Sequence, residues 1–249
     1  MITFKLANNQ TLQVEKATSL STVLPKEVDG LPVLAALLNN DVVPLDSPAL
    51  LDATLHPLTL ADENGWQVYR RTLCFLLAKV LHEHFPEANG AIRQSFGHNA
   101  LFWSWDVPTE ERENKTAALR ALLAELIERD LPICHQVAGY EQIVTLFTER
   151  GQTDKVNLLA HRNPPYLSLV KCEDFYDLPQ GALATRTGVI GLFDLVPLRD
   201  GFVLEFPGYQ TPRELDPMPP YDFLFDIYAE HLRWGKIIGI KTAGELNAA

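Results

Sequence analysis

Polar and apolar residues alternate at period two in Ile2-Thr3-Phe4-Lys5-Leu6 and again in Thr11-Leu12-Gln13-Val14-Glu15. Alternation of this kind puts every second side chain on one face of a strand, and Asn8-Asn9 between the runs supplies turn residues, so the segment predicts a hairpin. Val33 to Leu38, Asn39-Asn40-Asp41 and Val42-Val43 predict a second hairpin, and Leu55 to Leu60 one more strand. Ser19 to Leu24 between them has room for one or two helical turns. At Asp62-Glu63-Asn64-Gly65 the period changes. Trp66, Tyr69, Leu73, Leu76, Leu77, Val80, Leu81 and His84 recur at three and four residues, which predicts a long helix with one apolar face, closed by Pro86.

Beyond Pro86 the stretch Gly90 to Val107 is aromatic and strand-like. Thr109, followed by Glu110, Glu111 and Glu113, reads as a capped, acid-first helix start, and Leu119, Leu122, Leu123, Leu126 and Ile127 give that helix its buried stripe. A third helix is expected from Tyr140 to Glu149, stopped by Gly151. Strands are expected at Lys155 to Leu159, Tyr166 to Lys171, Gly188 to Leu192 and Phe202 to Phe206, with Arg199-Asp200-Gly201 as a tight turn. Pro207-Gly208, Pro212, Pro217, Pro219 and Pro220 predict a stiff linker, after which Tyr221 to Ile238 returns to helical spacing through Leu224, Tyr228 and Leu232. Thr242-Ala243-Gly244-Glu245 is a capping-box pattern with four residues after it, from which a longer protein is expected.

Composition narrows what such a chain can do. With 249 residues, 47% hydrophobic and 21% charged, it can bury a core and hold two domains. The net charge of -11 argues against a broad nucleic-acid surface, since phosphate neutralisation needs clustered Lys and Arg; a local basic cleft remains compatible. Cys74, Cys134 and Cys172 are odd in number and lack C-x-x-C spacing, which suits reduced thiols in a cytoplasmic protein. No apolar run approaches a membrane span or a signal peptide core, so no membrane partner is expected.

Common catalytic signatures are absent. Without G-x-x-x-x-G-K-[ST] the chain has no phosphate-cradling loop and is not expected to be a kinase itself; H-E-x-x-H and G-x-S-x-G are missing too. His82 and His84, two apart on a helix, point about 200° from one another and do not suit one shared ion.

Arg71-Thr72-Leu73-Cys74-Phe75-Leu76-Leu77, Asn99 to Trp105, Phe147 to Lys155 and Cys172-Glu173-Asp174-Phe175-Tyr176-Asp177-Leu178, with Gly181 and Gly188, fall in an order and spacing that runs from Tyr69 to Phe206. In these the chain resembles the second additional, editing domain of threonyl- and alanyl-tRNA synthetases. It is closest to the variant that sits ahead of a uridine-kinase-like domain, a likeness carried by Thr187-Gly188, Phe193 to Pro197 and Asp200 to Leu204. The resemblance implies an α+β fold in three parts: a ubiquitin-like β-grasp module over 1-62, the editing-like domain over 63-207, and a linker with a helical extension over 208-249.

The departures bear on function. The family's H-x-x-x-H falls here on Arg71 and Phe75, and its C-x-x-x-H on Pro179 and Leu183, so all four zinc-binding side chains are replaced and no zinc is expected. Lys155, Asp177 and Trp103 complete the cleft that the resemblance implies; Asp177 is expected to pair with Arg71, and the plainer alternative is a structural Lys155–Asp177 ion pair that stabilises the fold. The reading that follows is a non-catalytic, regulatory or ligand-binding region taking a small anionic, nucleoside or tRNA-end-like ligand. ATP and Mg belong only to the expected downstream P-loop kinase-like domain. The alternatives are a metal-independent aminoacyl-tRNA deacylase and a dimerising scaffold using the aromatic run Leu101 to Trp105.

Overall fold

A computed structural model describes residues 1–6, 10–97, 99–160, 164–216 and 221–238, excluding the side chains of 228, 231, 232 and 234–238. The Asn8-Asn9 turn, Pro217, Pro219, Pro220, the spacing residues Tyr228 and Leu232, and the capping pattern at Thr242 lie outside this description.

The first sheet joins β1 (Ile2–Leu6), β2 (Thr11–Val14), β5 (Ala35–Leu38), β6 (Asp41–Val43) and β7 (Ala53–Leu58) in the order β2-β1-β7-β5-β6. β1 and β7 run parallel and the other pairs antiparallel. The expected helical turn is α1 (Leu20–Val23). Leu20 packs with Phe4, Ala36 and Leu55 on one face of the sheet. A ribbon of β3 (Glu27–Val28) and β4 (Leu31–Pro32) was not expected. Its strands are too short for a period to register, and the signal for it is the Asp29-Gly30 turn, with φ +51° and +71°.

α2 (Glu63–His84) then crosses the molecule. The Asp62 carboxylate accepts from the Thr59 backbone N–H and hydroxyl at 2.7 and 3.1 Å, fixing the corner from β7. Gly65 is required there, since a Cβ would lie 1.8 Å from the Thr59 carbonyl oxygen. The sequence predicts one apolar face, but the helix is buried almost all round, because Leu34, Ala35 and Leu58 of the first module share its core with Trp103, Leu119 and Phe202 of the rest. Between its ends only a stripe through Gln67, Arg70, Arg71, Cys74 and Ala78 escapes full burial. Polar groups of α2 hold the irregular segments laid over it. The Trp66 indole donates to Pro207 O (3.1 Å), the Tyr69 hydroxyl to Leu192 O (2.7 Å), and the Thr72 hydroxyl accepts from the Ala184 N–H (2.9 Å).

β8 (Ala91–Ser95), β9 (Ala100–Ser104), β13 (Asp194–Leu198) and β14 (Gly201–Glu205) form an antiparallel sheet in the order β13-β14-β9-β8. α3 (Thr109–Glu128) packs against β13 and α2. Its N-cap is Pro108, and Thr109 is already its first helical residue. β10 (Cys134–Gly139), β11 (Tyr166–Cys172) and β12 (Phe175–Asp177) form a third sheet, overlaid by α4 (Tyr140–Glu149) and α5 (Thr153–Ala160). α6 (Asp222–Ile238) closes the described chain. Among the described residues no helix is long and apolar enough to cross a membrane.

Two expected strands are corrected. Lys155 to Leu159 is helical, within α5: Gly151 at φ +67° ends α4, and the Gln152 carbonyl accepts from Lys155 and Val156 to begin a new helix. The apolar run Val156 to Leu159 is too short for its period to separate strand from helix. Gly188 to Leu192 begins in a 3-10 turn, because the Thr187 hydroxyl donates to Leu126 O (3.0 Å) and accepts from Leu131 N–H (2.9 Å), tying it to the end of α3. The run Leu101 to Trp105 is core: Trp103 stacks on Phe202 at 10° and Trp105 meets it edge-on, so it offers no exposed patch to a scaffold.

Leu76, fully buried in α2, should cost about 2–5 kcal/mol when cut to alanine, whereas Leu158→Ala, at a side chain 57% exposed, should cost under about 0.5 kcal/mol. Urea unfolding of the two variants measures the contrast; equal losses would contradict a core centred on α2.

Candidate functional site

The stripe of α2 that escapes burial forms one wall of a cavity of about 410 Å³. Arg71, Cys74, Phe75 and Ala78 come from that helix, Trp103 from β9, Lys155 from α5, and Asp177, Pro179 and Leu183 from the end of β12 and the segment after it. The cavity thus gathers the four cleft residues singled out from sequence, Arg71, Trp103, Lys155 and Asp177, together with the other three replaced ligand positions, Phe75, Pro179 and Leu183. Arg70 and Cys74 also line it and were not singled out. Their signal was legible, since Cys74 and Ala78 follow Arg71 and Cys74 at helical intervals of three and four.

Lys155 is heavily engaged. Its ammonium lies 2.8 Å from Asp177 Oδ1, donates to Tyr176 O at 3.3 Å, and sits 5.2 and 5.3 Å from the ring centres of Phe147 and Phe175. Asp177 Oδ1 also accepts its neighbour Leu178 N–H at 2.7 Å. Of the two partners the sequence offers Asp177, the structure makes the ion pair with Lys155 and not the pair with Arg71. The helical start at Gln152 carries Lys155 to that position. Arg71 has no ion-pair partner among the described residues. Burial lowers its pKa, the charge of Arg70 adds to that, and its guanidinium lies against Gly181, where a Cβ would meet it at 2.9 Å. Arg70 itself lies over the Trp66 ring. The cavity therefore holds cationic donors that no carboxylate among the described residues satisfies.

Other groups define what the site cannot use. Burial pushes the Cys74 thiol up to about 12, so it holds its proton at neutral pH and is no nucleophile. Arg71, Phe75, Pro179 and Leu183 offer no lone pair suited to zinc, and no group of three His, Cys, Asp or Glu residues among those described could hold a metal ion. The residues present do not fit the zinc of the family pattern. Trp103 lines the cavity, and its buried indole N–H has no hydrogen-bond partner among the described residues. His82 lies against Phe175, 5.5 Å between ring centres, and His84 is the last residue of α2.

A second cavity of about 480 Å³ meets the first at Pro179 and reaches Asp46 and Ser47 of the first module. There His135 spans the modules: its ring Nδ1 and backbone N–H lie 3.2 and 3.1 Å from the Asp46 carboxylate, and its Nε2 accepts from Leu183 N–H at 3.4 Å. Burial works to raise the Asp46 pKa, but the hydrogen bonds and charge of His135 together outweigh it and hold the carboxyl below its ordinary value.

No protein-family model matches the chain. Curated relatives do. The chain is similar to threonine–tRNA ligases. It is 29% identical to that of Symbiobacterium thermophilum over 184 residues, 73% of this chain and 28% of the ligase. Identity is 29% over 170 residues with the ligase of Acidithiobacillus ferrooxidans, covering 67% and 26% of the two chains. It is 26% over 207 residues with that of Acetivibrio thermocellus, covering 81% and 32%. The chain spans less than a third of the length of these relatives. Similarity to threonine–tRNA ligases over most of the chain fits an editing-type region, and none of the three relatives is a kinase by name.

Two measurements follow. Asp177→Ala removes the counter-charge of a largely buried ammonium and should cost about 1.5–3 kcal/mol, the range for hydrogen bonds to charged groups, in denaturant unfolding; a cost near zero would mean the pair is solvated. Because the folded-state pKa of Asp46 is lowered, its stabilisation is present above the unfolded value near 3.8 and is lost as pH falls through the lower folded value. The stability gap between wild type and Asp46→Asn should accordingly hold at pH 5 and shrink below about pH 3.8; a gap that widens in acid would reverse the assignment.

Proposed function

We propose that this chain is an editing-type module that receives the aminoacylated 3′ end of a tRNA and hydrolyses the ester without a metal. The observation that carries this reading is the convergence of an unpaired, partly buried Arg71 with the Lys155–Asp177 pair in one cavity, on a chain similar to threonine–tRNA ligases. Asp177, paired with Lys155 at 2.8 Å, would accept a proton from a water molecule. The water oxygen bonds to the ester carbonyl carbon, the carbonyl oxygen takes the negative charge, and Arg71 donates to it. As the carbon–oxygen bond to the ribose breaks, the proton passes from Asp177 to the leaving ribose oxygen. Net charge is conserved, and the products are a free amino acid and an uncharged tRNA end.

The same proposal takes the first module as a ubiquitin-like β-grasp, supported by its 2-1-5-3-4-type order with a central parallel pair and one short helix. Its boundary at residue 62 marks a unit of topology, since the core around α2 continues across it. A cytoplasmic setting follows from the substrate.

One observation favours a second reading. The Lys155 ammonium is already satisfied by Asp177, Tyr176 O and two rings, as a structural post would be. On that reading the cleft binds an anionic or nucleotide ligand without turning it over, as the region ahead of a nucleoside-kinase-like domain would.

Incubation with a threonine tRNA mischarged with a near-cognate amino acid separates the two. Hydrolysis is expected to persist in a chelator and to fall about 100-fold or more in Asp177→Asn and in Arg71→Ala. Binding with no hydrolysis above the spontaneous rate would leave the ligand-binding reading in its place.

A further inference from the structure

The Lys155–Asp177 pair also lines another cavity, of about 450 Å³, on its far side. The two chambers share Ala78, Asp154, Lys155 and Asp177, so they form one groove along α2, with the ion pair as a partition at its waist. Measured along the helix from Arg71 to the cap at Phe85, the groove is about 21 Å long at 1.5 Å per residue. Each chamber is of a size that takes one small-molecule-sized group, so a single terminal nucleoside with its amino acid fills only one.

The second chamber has its own recognition chemistry. Among the described residues the buried Gln152 side-chain oxygen has no hydrogen-bond partner, an acceptor already desolvated. His82 and Phe85 bring aromatic rings to its lining from the end of α2. Arg150 sits at the rim, its guanidinium 4.6 Å from the centre of the Tyr176 ring; one of its nitrogens donates to Asp174 O (2.7 Å), which leaves further donors free. Lys171 lies over the same Tyr176 ring at 5.1 Å. Gly151 is open in front of this rim, with nothing within 4 Å of where a Cβ would be. Asp154 is the opposing group, and its exposed carboxylate keeps a phosphate on the Arg150 side.

We infer that this second chamber takes the penultimate nucleotide of a single-stranded RNA 3′ end whose terminal nucleoside occupies the first chamber. The inference rests on the reading of the first chamber as a site for the tRNA end. Gln152 Oε1 accepts from an exocyclic base amine, the base stacks on the His82 and Phe85 side, and Arg150 meets the connecting phosphate. A penultimate cytosine, which presents an N4 amine, fits that acceptor. Uracil, with a carbonyl oxygen in the same position, sets two acceptors against each other.

The test is calorimetric titration of the 249-residue chain with two probes, the ribotrinucleotide cytidylyl-cytidylyl-adenosine and adenosine 5′-monophosphate, at fixed low salt. The trinucleotide should bind about tenfold or more tighter than the mononucleotide. Gln152→Leu and Arg150→Ala should each weaken the trinucleotide by about fivefold or more, the size of one lost base or phosphate contact, and leave the mononucleotide unchanged. Uridine at the penultimate position should mimic Gln152→Leu in wild type and add nothing further in that variant. Arg71→Ala should weaken both probes. A mononucleotide that binds through Arg71 while the trinucleotide gains nothing overturns the inference and leaves the first chamber standing. Gln152-dependent trinucleotide binding without ester hydrolysis supports the inference and sinks the hydrolytic reading alone. Failure of both probes to bind at millimolar concentration overturns the inference.

Discussion

The burial of α2 on nearly every side is the constraint from which the rest of the molecule follows. A helix in the middle of a domain must be apolar around most of its circumference, and one that is will draw a layer onto each face. Here the first sheet, α3 and the β9–β14 face supply those layers, and the segments around residues 184, 192 and 207 are tied down by Thr72, Tyr69 and Trp66. The stripe through Arg70, Arg71, Cys74 and Ala78 is left over, and a leftover stripe on a buried helix becomes the wall of a cleft.

The cleft is polarised by how its charges are divided. Lys155 and Asp177 pair with one another at the waist, while Arg70 and Arg71 line the chamber with no ion-pair partner among the described residues. A protein of net charge -11 thereby gathers three cations, Arg70, Arg71 and Lys155, against two carboxylates, Asp154 and Asp177, around one cavity. Overall charge argues against a broad nucleic-acid surface but says little about one pocket.

Much of this was legible in the sequence, for reasons that differ by element. The hairpin strands β1 and β2, and the helices α2 and α4, carry periods long enough or stop signals strong enough to stand alone, Gly151 among them. Lys155 to Leu159 did not, since five residues with a short apolar run satisfy strand and helix alike, and the deciding fact was a carbonyl at Gln152. The gathering of Arg71, Trp103, Lys155 and Asp177 came from family resemblance; spacing alone brings only Arg71, Cys74, Phe75 and Ala78 together. Gln152 was silent in sequence, for an unpaired acceptor exists only once the surrounding fold has removed its water.

The contact of His135 with both Asp46 and Leu183 gives the first sheet a standing in the chemistry of the cleft. Leu183 belongs to the strip of chain, from Asp177 onward, that forms one wall of the first chamber, and the imidazole is the one bridge described between that strip and the loop at Asp46. A movement of that strip therefore moves or breaks a contact with the loop at Asp46, and a movement of that loop does the same to the strip.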